Sequence, residues 1–222
     1  MLNQVNPTIA IVDSGIGGVS ILKQLINKYN AGNYIYFADN LYMPYGNKTK
    51  KWLNNRIEYI INMLKNKYNV DYIIIACNTA SASIDKTKFK NIYSMEFNKK
   101  YKYLATNLTK QNIPELEIIA DNTLAKQIDI NIFNNDKLTN TIKTHIKKHN
   151  LNKLKNLVLG CTHYELVEDC FKKYCPKTKI IKNSSFVINK MYFNININEL
   201  NIAIILSKND NKYDQKIKQL LN

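Results

Sequence analysis

Short apolar runs recur along this chain, and they alternate with segments that have the periodicity of a helix. The runs Thr8–Asp13 and Tyr34–Ala38 precede helical patterns over residues 19–26 and 52–67, and a third run covers residues 71–76. Strands separated by a helix pair in parallel, because a hairpin would need a short turn between them. This alternation therefore predicts an α/β fold built on mostly parallel sheets.

The same alternation starts again in the second half of the chain. Strand candidates lie at 101–105, 117–120 and 156–160, and helix candidates lie at 136–149 and 164–174. The segments IIIACNT (73–79) and LVLGCTH (157–163) each contain an apolar run, a small residue, a cysteine and a threonine. We interpret this echo as an internal duplication, and a chance similarity between two apolar runs is the alternative.

Two cysteines, Cys77 and Cys161, fall at the ends of predicted strands. In open α/β sheets, ligands bind beyond the carboxyl ends of the strands, and a following helix N-terminus favours thiolates and anions. The alternative is structural, because a free cysteine is often simply a small buried residue. Two cysteines in matching contexts favour a site that holds a carboxylate-bearing substrate between two thiols. Cys170 and Cys175 show no metal-ligand spacing, and we expect free thiols there.

Composition limits the classes of partner. The chain has 222 residues, 45% of them hydrophobic, and no apolar run approaches the length of a membrane span. Because the start also lacks a leader pattern, we expect a cytoplasmic protein without a membrane partner. The net charge of +15 comes almost wholly from scattered lysines, with Arg56 as the sole arginine. This pattern argues against specific nucleic-acid binding, which favours the forked guanidinium group.

Four segments give the sequence a family resemblance. VDSGIGG (12–18), YFADNLYMPYG (36–46), ACNTASA (76–82) and LGCTHYEL (159–166) resemble, in order and at similar intervals, the motifs of cofactor-independent glutamate racemases. The resemblance implies two pseudo-symmetric α/β lobes with the active site in the cleft between them. We expect the first lobe to comprise residues 1–93 and 184–222, and the second to comprise residues 94–183.

The resemblance also implies a mechanism. Cys77 and Cys161 would be the two acid–base residues, because removing and returning a proton on opposite faces of one carbon requires two bases. Asp13 and His163 would be charged catalytic residues that adjust the ionisation of the neighbouring thiols. The residues implied for substrate binding are Asp13, Ser14, Pro44, Tyr45, Gly46, Asn78, Thr79, Thr106, Thr162 and His163. The family implies that the reaction needs neither a metal nor pyridoxal. It also implies a homodimeric assembly and a supply of D-glutamate for peptidoglycan.

The chain departs from the family pattern in two places. The segment ADNTLAKQIDIN (120–131) lacks the usual Cys-Pro pair and the glutamate that follows it. We expect Asp129 to stand in place of that glutamate, with a side chain one methylene shorter, near the active-site histidine. The tail after Asn183 is short and only faintly resembles the C-terminal segment that returns to the first lobe in the family.

Two other functions remain open at the level of sequence. One is a racemase of the same superfamily that acts on aspartate or a related acid, which the motifs barely separate from a glutamate racemase. The other is a non-catalytic homologue that binds a partner through its lysine-rich surface, prompted by the altered 120–131 segment and the short tail. The presence of both Cys77 and Cys161 argues against this second alternative.

Overall fold

The structure, a computed structural model, describes residues 6–222. Residues 1–5, with which the predicted first lobe begins, lie outside the described residues. The strands are β1 (Thr8–Asp13), β2 (Gly32–Ala38), β3 (Tyr72–Ile75), β4 (Ile92–Ser94), β5 (Lys102–Ala105), β6 (Glu117–Ala120), β7 (Asn156–Leu159), β8 (Lys179–Lys182) and β9 (Leu200–Leu206). The helices are α1 (Val19–Tyr29), α2 (Lys50–Tyr68), α3 (Asn78–Ser81), α4 (Asn107–Asn112), α5 (Leu124–Asn131), α6 (Asn135–Lys148), α7 (Thr162–Glu165), α8 (Glu168–Tyr174), α9 (Ser185–Ile188) and α10 (Asn211–Leu221).

The strands form two parallel sheets that share one strand order. The first sheet has the order β4-β3-β1-β2-β9, and the second, taken from its far edge, has the order β8-β7-β5-β6. Strand β7 therefore occupies the place in the second sheet that β3 occupies in the first. This repeated order confirms the predicted α/β class with two pseudo-symmetric lobes.

Both faces of the first sheet are covered, which explains the continuous apolar character of its strands. In β1, Ile9 and Ile11 pack in the cluster that contains the apolar face of α1, whereas Ala10 and Val12 pack in the cluster that contains α2. Because alternate residues of a strand point to opposite faces, a strand covered on both sides has no position for a polar residue. After Thr8 at the start of β1, which is only partly buried, the next polar side chain is Asp13, where the strand ends.

Helix α2 shows how local sequence fixes the ends of an element. The Thr49 side chain accepts a hydrogen bond from the backbone N–H of Trp52 and caps the first turn. At the other end, Asn69 adopts φ of 49°, a left-handed conformation that asparagine tolerates. The helix is amphipathic, and no helix within residues 6–222 has both the length and the apolar composition that crossing a bilayer requires.

The short tail contributes an ordered strand and helix. Strand β9 pairs with β2 along its whole length, from Gly32 opposite Leu200 to Ala38 opposite Leu206. Helix α10 then buries Ile217 in the same apolar cluster as α1. The C-terminal segment therefore completes the first sheet. The exact lobe boundaries at residues 93/94 and 183/184 stay a prediction.

One predicted element differs from the structure. The helical pattern over residues 164–174 predicts one helix, but the chain forms α7 and α8 with a break at Leu166 and Val167. Val167 has φ of −119° and ψ of 26°, outside the helical region. Helix α7 thus ends after four residues. This break lets α7 and α8 pack against different neighbouring elements.

A buried carboxyl group lies where α7 meets α1. Glu165 accepts hydrogen bonds from the backbone N–H and the hydroxyl of Ser184, at 2.9 and 2.6 Å, and Ser20 Oγ lies 3.4 Å away. Burial raises the pKa of Glu165 to about 7, and the Ser184 hydrogen bonds oppose that rise only in part. The folded protein therefore keeps a proton on Glu165 at pH values where the unfolded chain has lost it.

We predict that the Glu165→Gln variant is more stable than the parent at pH 8. Between pH 4.5 and about 7 the folded state binds the extra proton, so the free energy of unfolding of the parent falls as pH rises. The neutral amide avoids this loss, and we expect a gain of about 1–3 kcal/mol at pH 8 that vanishes near pH 4.5. Urea unfolding at both pH values measures it, with exposed Glu58→Gln on α2 as control. A loss of stability at pH 8 would contradict the prediction.

Candidate active site

The loops after β3 and β7 each place a cysteine at the start of a short helix. Cys77 directly precedes α3, and Cys161 directly precedes α7, each with an extended backbone conformation. Because β3 and β7 hold equivalent places in the two sheets, the two cysteines occupy equivalent positions in the two lobes. Cys77 is buried and Cys161 is partly buried.

Both thiols line one cavity of about 170 Å³. The loops after β1, β3, β5 and β7 all contribute to its wall, as expected where the carboxyl ends of parallel strands meet. Its volume suits a small molecule rather than a polymer. With the exception of Asp13 and Asn78, the predicted site residues line this cavity: Ser14, Pro44, Tyr45, Gly46, Cys77, Thr79, Thr106, Cys161, Thr162 and His163.

Asp13 lies behind the cavity, at the junction of the two lobes. Its carboxylate accepts hydrogen bonds from the backbone N–H of Gly15 at 2.9 Å and from Thr162 Oγ1 at 3.0 Å. Burial raises the pKa of Asp13, although the positive charge of His163 lowers it. Burial and the nearby Asp13 charge together raise the pKa of the Cys77 thiol far above its usual value. Cys77 therefore holds its proton in the unliganded site.

Asn78 also lies behind the cavity wall, paired with an asparagine of the second lobe. Asn183 Nδ2 donates a hydrogen bond to Asn78 Oδ1 at 2.5 Å, and both side chains are buried. Asn78 Nδ2 and Asn183 Oδ1 have no hydrogen-bond partner among the described residues. A buried amide with a free donor beside Cys77 is energetically costly unless a ligand or water satisfies it.

His163 links the second thiol to a carboxylate. Its Nδ1 lies 4.0 Å from Cys161 Sγ, and its Nε2 lies 3.4 Å from Asp129 Oδ2. Burial alone would lower the pKa of His163, but the hydrogen bond to Asp129 and the contact with Cys161 raise it to about 10. The ring is therefore a buried imidazolium at neutral pH, and its positive charge faces Cys161.

The C-terminal helix holds Asp129 in place. Tyr213 donates to Asp129 Oδ2 at 3.0 Å, and Lys216 Nζ donates to Oδ1 at 2.7 Å and to the backbone carbonyl of Asp129 at 2.8 Å. Burial would raise the pKa of Asp129, but His163 and Lys216 lower it to about 2. Helix α10, which packs on the first sheet, therefore fixes a carboxylate of the second lobe beside the histidine.

Threonine hydroxyls join the two lobes on the other side of the cavity. Thr79 Oγ1 and Thr106 Oγ1 are 3.0 Å apart, and Thr106 Oγ1 is also 3.0 Å from Thr109 Oγ1. Thr106 additionally caps α4 by accepting from the backbone N–H of Thr109. The Thr-x-x-Thr sequence thus has a local reason, the cap, and a long-range reason, the contact with Thr79.

The only arginine of the sequence supports the Pro44–Gly46 loop from behind. Arg56 binds Asp39 with both Nε and Nη2, at 2.9 and 2.6 Å, and Tyr45 donates its hydroxyl to Asp39 Oδ2 at 2.5 Å. Asp39 is fully buried. Tyr45 therefore lines the cavity with its hydroxyl already engaged by Asp39. The guanidinium therefore positions the loop, and it does not line the cavity.

The glycine loop after β1 allows the lobes to approach. A Cβ atom on Gly17 would overlap Thr162 Oγ1 and the backbone nitrogen of His163. A larger residue at position 17 would therefore push α7 away from the end of β1 and break the contact between Asp13 and Thr162.

Several residues that the sequence did not assign to a site contact it. Met43, Ala125 and Lys126 line the cavity, and Asn183, Tyr213 and Lys216 support its polar residues. The one available signal was the altered 120–131 segment, which contains both Lys126 and Asp129. Nothing local distinguishes Asn183, Tyr213 or Lys216, because their partners lie 84 to 105 residues away in sequence.

We predict that the Asp129→Asn variant lowers the pKa of His163 from about 10 toward the ordinary value of an imidazole, because the imidazolium loses its neighbouring negative charge. Titration of the histidine ring resonances by NMR measures this change, and Asp136→Asn on the exposed side of α6 serves as the control. An unchanged His163 titration in Asp129→Asn would show that Asp129 does not stabilise the imidazolium.

Comparisons with known proteins give relatives named glutamate racemase. A glutamate racemase of Buchnera aphidicola subsp. Schizaphis graminum is 32% identical, and the match covers 95% of this chain and 93% of that protein. A Thermus thermophilus glutamate racemase solved with β-chloro-D-alanine has 18% identity and a TM-score of 0.82, covering 98% of this chain and 93% of that chain. An Escherichia coli glutamate racemase solved with L-glutamate and the activator UDP-MurNAc-ala has 20% identity and a TM-score of 0.77. The match covers 97% of this chain and 96% of that chain. No family model matches the chain.

Proposed function

The chain belongs to the glutamate racemase family, and from this premise we propose that it interconverts L- and D-glutamate with Cys77 and Cys161 as the two acid–base residues. Family membership confirms the resemblance that the four sequence segments predict. One observation carries the assignment of the thiols: two cysteines at equivalent positions of two pseudo-symmetric lobes line one small cavity.

The proposed reaction moves one proton on and one proton off the α-carbon. In one direction Cys161, as a thiolate, takes the α-proton, and the electron pair of the broken C–H bond is delocalised into the α-carboxylate. Cys77 then gives its thiol proton to the opposite face of the carbon, and the electron pair returns to form the new C–H bond. The cycle leaves Cys77 as thiolate and Cys161 as thiol, which is the starting state for the reverse direction.

The environments of the two thiols support unequal roles. Cys77 is buried beside Asp13 and keeps its proton, whereas Cys161 faces the His163 imidazolium. The intermediate gathers negative charge on the carboxylate, so fixed donors at the cavity wall stabilise it. Ser14 and Thr79 line that wall, and Asn78 holds an unsatisfied amide donor next to Cys77, whereas the Thr162 hydroxyl donates to Asp13.

Further parts of the proposal rest on family resemblance. We infer a cytoplasmic homodimer that supplies D-glutamate for peptidoglycan, with the lobe boundaries predicted from the sequence. The proposed steps require no cofactor, since the two thiols supply both proton transfers.

The test of function is a direct assay of the full-length protein under reducing conditions. L-Glutamate, D-glutamate and L-aspartate are supplied separately, and the enantiomers are resolved by chiral chromatography. Conversion of both glutamate enantiomers faster than aspartate supports the proposal, and faster conversion of aspartate would favour the related acidic amino-acid racemase. If the folded protein converts none of them, it is a non-catalytic homologue. Binding of a partner is then measured at moderate salt.

We predict that Cys77→Ser and Cys161→Ser each lower kcat for racemisation by about 10²–10⁴-fold, because each variant removes one of two acid–base groups. Cys170→Ser is the matched control, since Cys170 is a partly buried cysteine outside the cavity. Initial rates in both directions measure the effect. Full activity in either active-site variant would rule out the two-base assignment.

We predict that Lys126→Met raises the KM for glutamate by about 2–5-fold, with a smaller change in kcat. Lys126 is exposed at the cavity wall, and its ammonium group can pair with a substrate carboxylate at the strength of a screened surface ion pair. Lys110→Met, an exposed lysine on α4 that does not line the cavity, is the control. An equal KM in the two variants would remove Lys126 from substrate binding.

A further inference from the structure

Two histidines and an aspartate of the second lobe converge on one oxygen atom outside the cysteine cavity. His145 Nδ1 lies 2.6 Å and His149 Nε2 lies 2.8 Å from Asp121 Oδ2. His145 lies in the last turn of α6 and His149 directly follows the helix, four residues on, so the two rings lie on the same side of the helix end. Asp121 and His145 are buried, and His149 is partly buried.

The Asp121 carboxylate is held rigidly by its other oxygen. Asp121 Oδ1 accepts hydrogen bonds from the backbone N–H of Thr123, the Thr123 hydroxyl and the backbone N–H of Leu124, at 2.9, 2.9 and 3.0 Å. These bonds satisfy Oδ1 and fix the orientation of the group. Oδ2 therefore faces the two imidazole rings with its negative charge available.

The hydrogen-bond partner of His145 Nε2 determines whether His145 Nδ1 presents a proton or a lone pair to Asp121. His145 Nε2 lies 2.9 Å from Gln127 Oε1, and with the amide in this orientation Nε2 donates and carries the proton of the neutral ring. Nδ1 then presents a lone pair to Asp121 Oδ2 at 2.6 Å. Two lone pairs repel at this distance unless a cation lies between them, either a second ring proton or a metal ion.

We propose that Asp121, His145 and His149 form a binding site for a divalent cation of the zinc class. Two imidazole nitrogens and one carboxylate oxygen make a donor set that zinc accepts, and Gln127 fixes the His145 tautomer as an outer-shell acceptor. Tetrahedral zinc sets its donors about 3.3 Å apart, so the His149 and His145 nitrogens need to move about 0.5 and 0.7 Å further from Asp121 Oδ2.

The surroundings of the cluster allow an ion to enter. The side chain of His149 is 15% exposed and that of Lys148 is 58% exposed. Lys148 Nζ lies 3.9 Å from Asp121 Oδ2 and is the competing cation, but its exposed side chain is free to turn into solvent. This exposed side leaves a fourth coordination position open to solvent.

The expected role of the ion is to stabilise the second lobe. The ion would link the end of α6 to the loop between β6 and α5, and Gln127 on α5 contacts His145 of the same cluster. The proposed racemisation uses none of these side chains, so the metal site and the proposed function stand or fall separately.

The test uses the full-length protein, freed of metal with a chelator and kept reduced, and Zn²⁺ alone as the probe. We expect the parent to bind one more equivalent than His149→Gln or Asp121→Asn, and its melting temperature to rise by about 5 °C with excess Zn²⁺. Asp136→Asn on the same helix is the control and should behave as the parent. Gln127→Leu, which keeps all three ligands, should weaken binding by about tenfold.

A spectroscopic variant separates this site from the free thiols. With Co²⁺, Asp121→Cys should gain a thiolate-to-cobalt charge-transfer band that the parent lacks at the same stoichiometry, because the new thiol is then a ligand. This readout holds even if His149→Gln proves unstable. Two results would overturn the proposal: Zn²⁺ binding that is undiminished in His149→Gln and Asp121→Asn, or no Zn²⁺ binding by the parent. In either case a proton, and not a metal ion, lies between the rings and the carboxylate.

Discussion

The buried hydrogen bond between Thr162 Oγ1 and Asp13 Oδ2 joins the end of β1 in the first lobe to the start of α7 in the second. It brings the two cysteine loops to one cavity and places a carboxylate behind Cys77. The bond depends on the glycine loop, because a side chain at Gly17 would occupy the space of Thr162 and His163. The site thus requires close backbone contact between the lobes, and a shared apolar core that includes α1, α5 and α7 keeps them together.

Around this contact the structure sets unequal electrostatic environments for two equivalent thiols. On the first-lobe side, burial and Asp13 favour the neutral form of Cys77. On the second-lobe side, His163 carries a positive charge that Asp129 maintains, and α10 holds Asp129 through Tyr213 and Lys216. Asp129, which the family pattern predicts to stand in place of a glutamate, thus receives two donors from the C-terminal helix.

The sequence predicted what depends on local patterns and on motifs. Continuous apolar runs marked β1, β2, β3 and β7, and the strand-end positions of Cys77 and Cys161 followed from them. Strand β9 in the tail was not predicted although it contains the apolar run 202–206; its place at a sheet edge, with Leu200 and Asn201 exposed, is seen only in the fold. Contacts such as Lys216 with Asp129, or His145 with Asp121, join elements far apart in sequence, and only the fold brings them together. The single-helix prediction for 164–174 was wrong, because a helical pattern does not reveal where the backbone turns.

The central claim is that two thiols act on opposite faces of one α-carbon, and the first turnover in D₂O tests it most directly. The protein is incubated with L-glutamate in D₂O, the reaction is stopped at low conversion, and each enantiomer is analysed by mass spectrometry after chiral separation. The account predicts deuterium at the α-carbon of the D-glutamate formed, while the remaining L-glutamate keeps its original hydrogen. D-Glutamate that retains the original hydrogen, or L-glutamate that exchanges as fast as product forms, would indicate a single base and contradict the account.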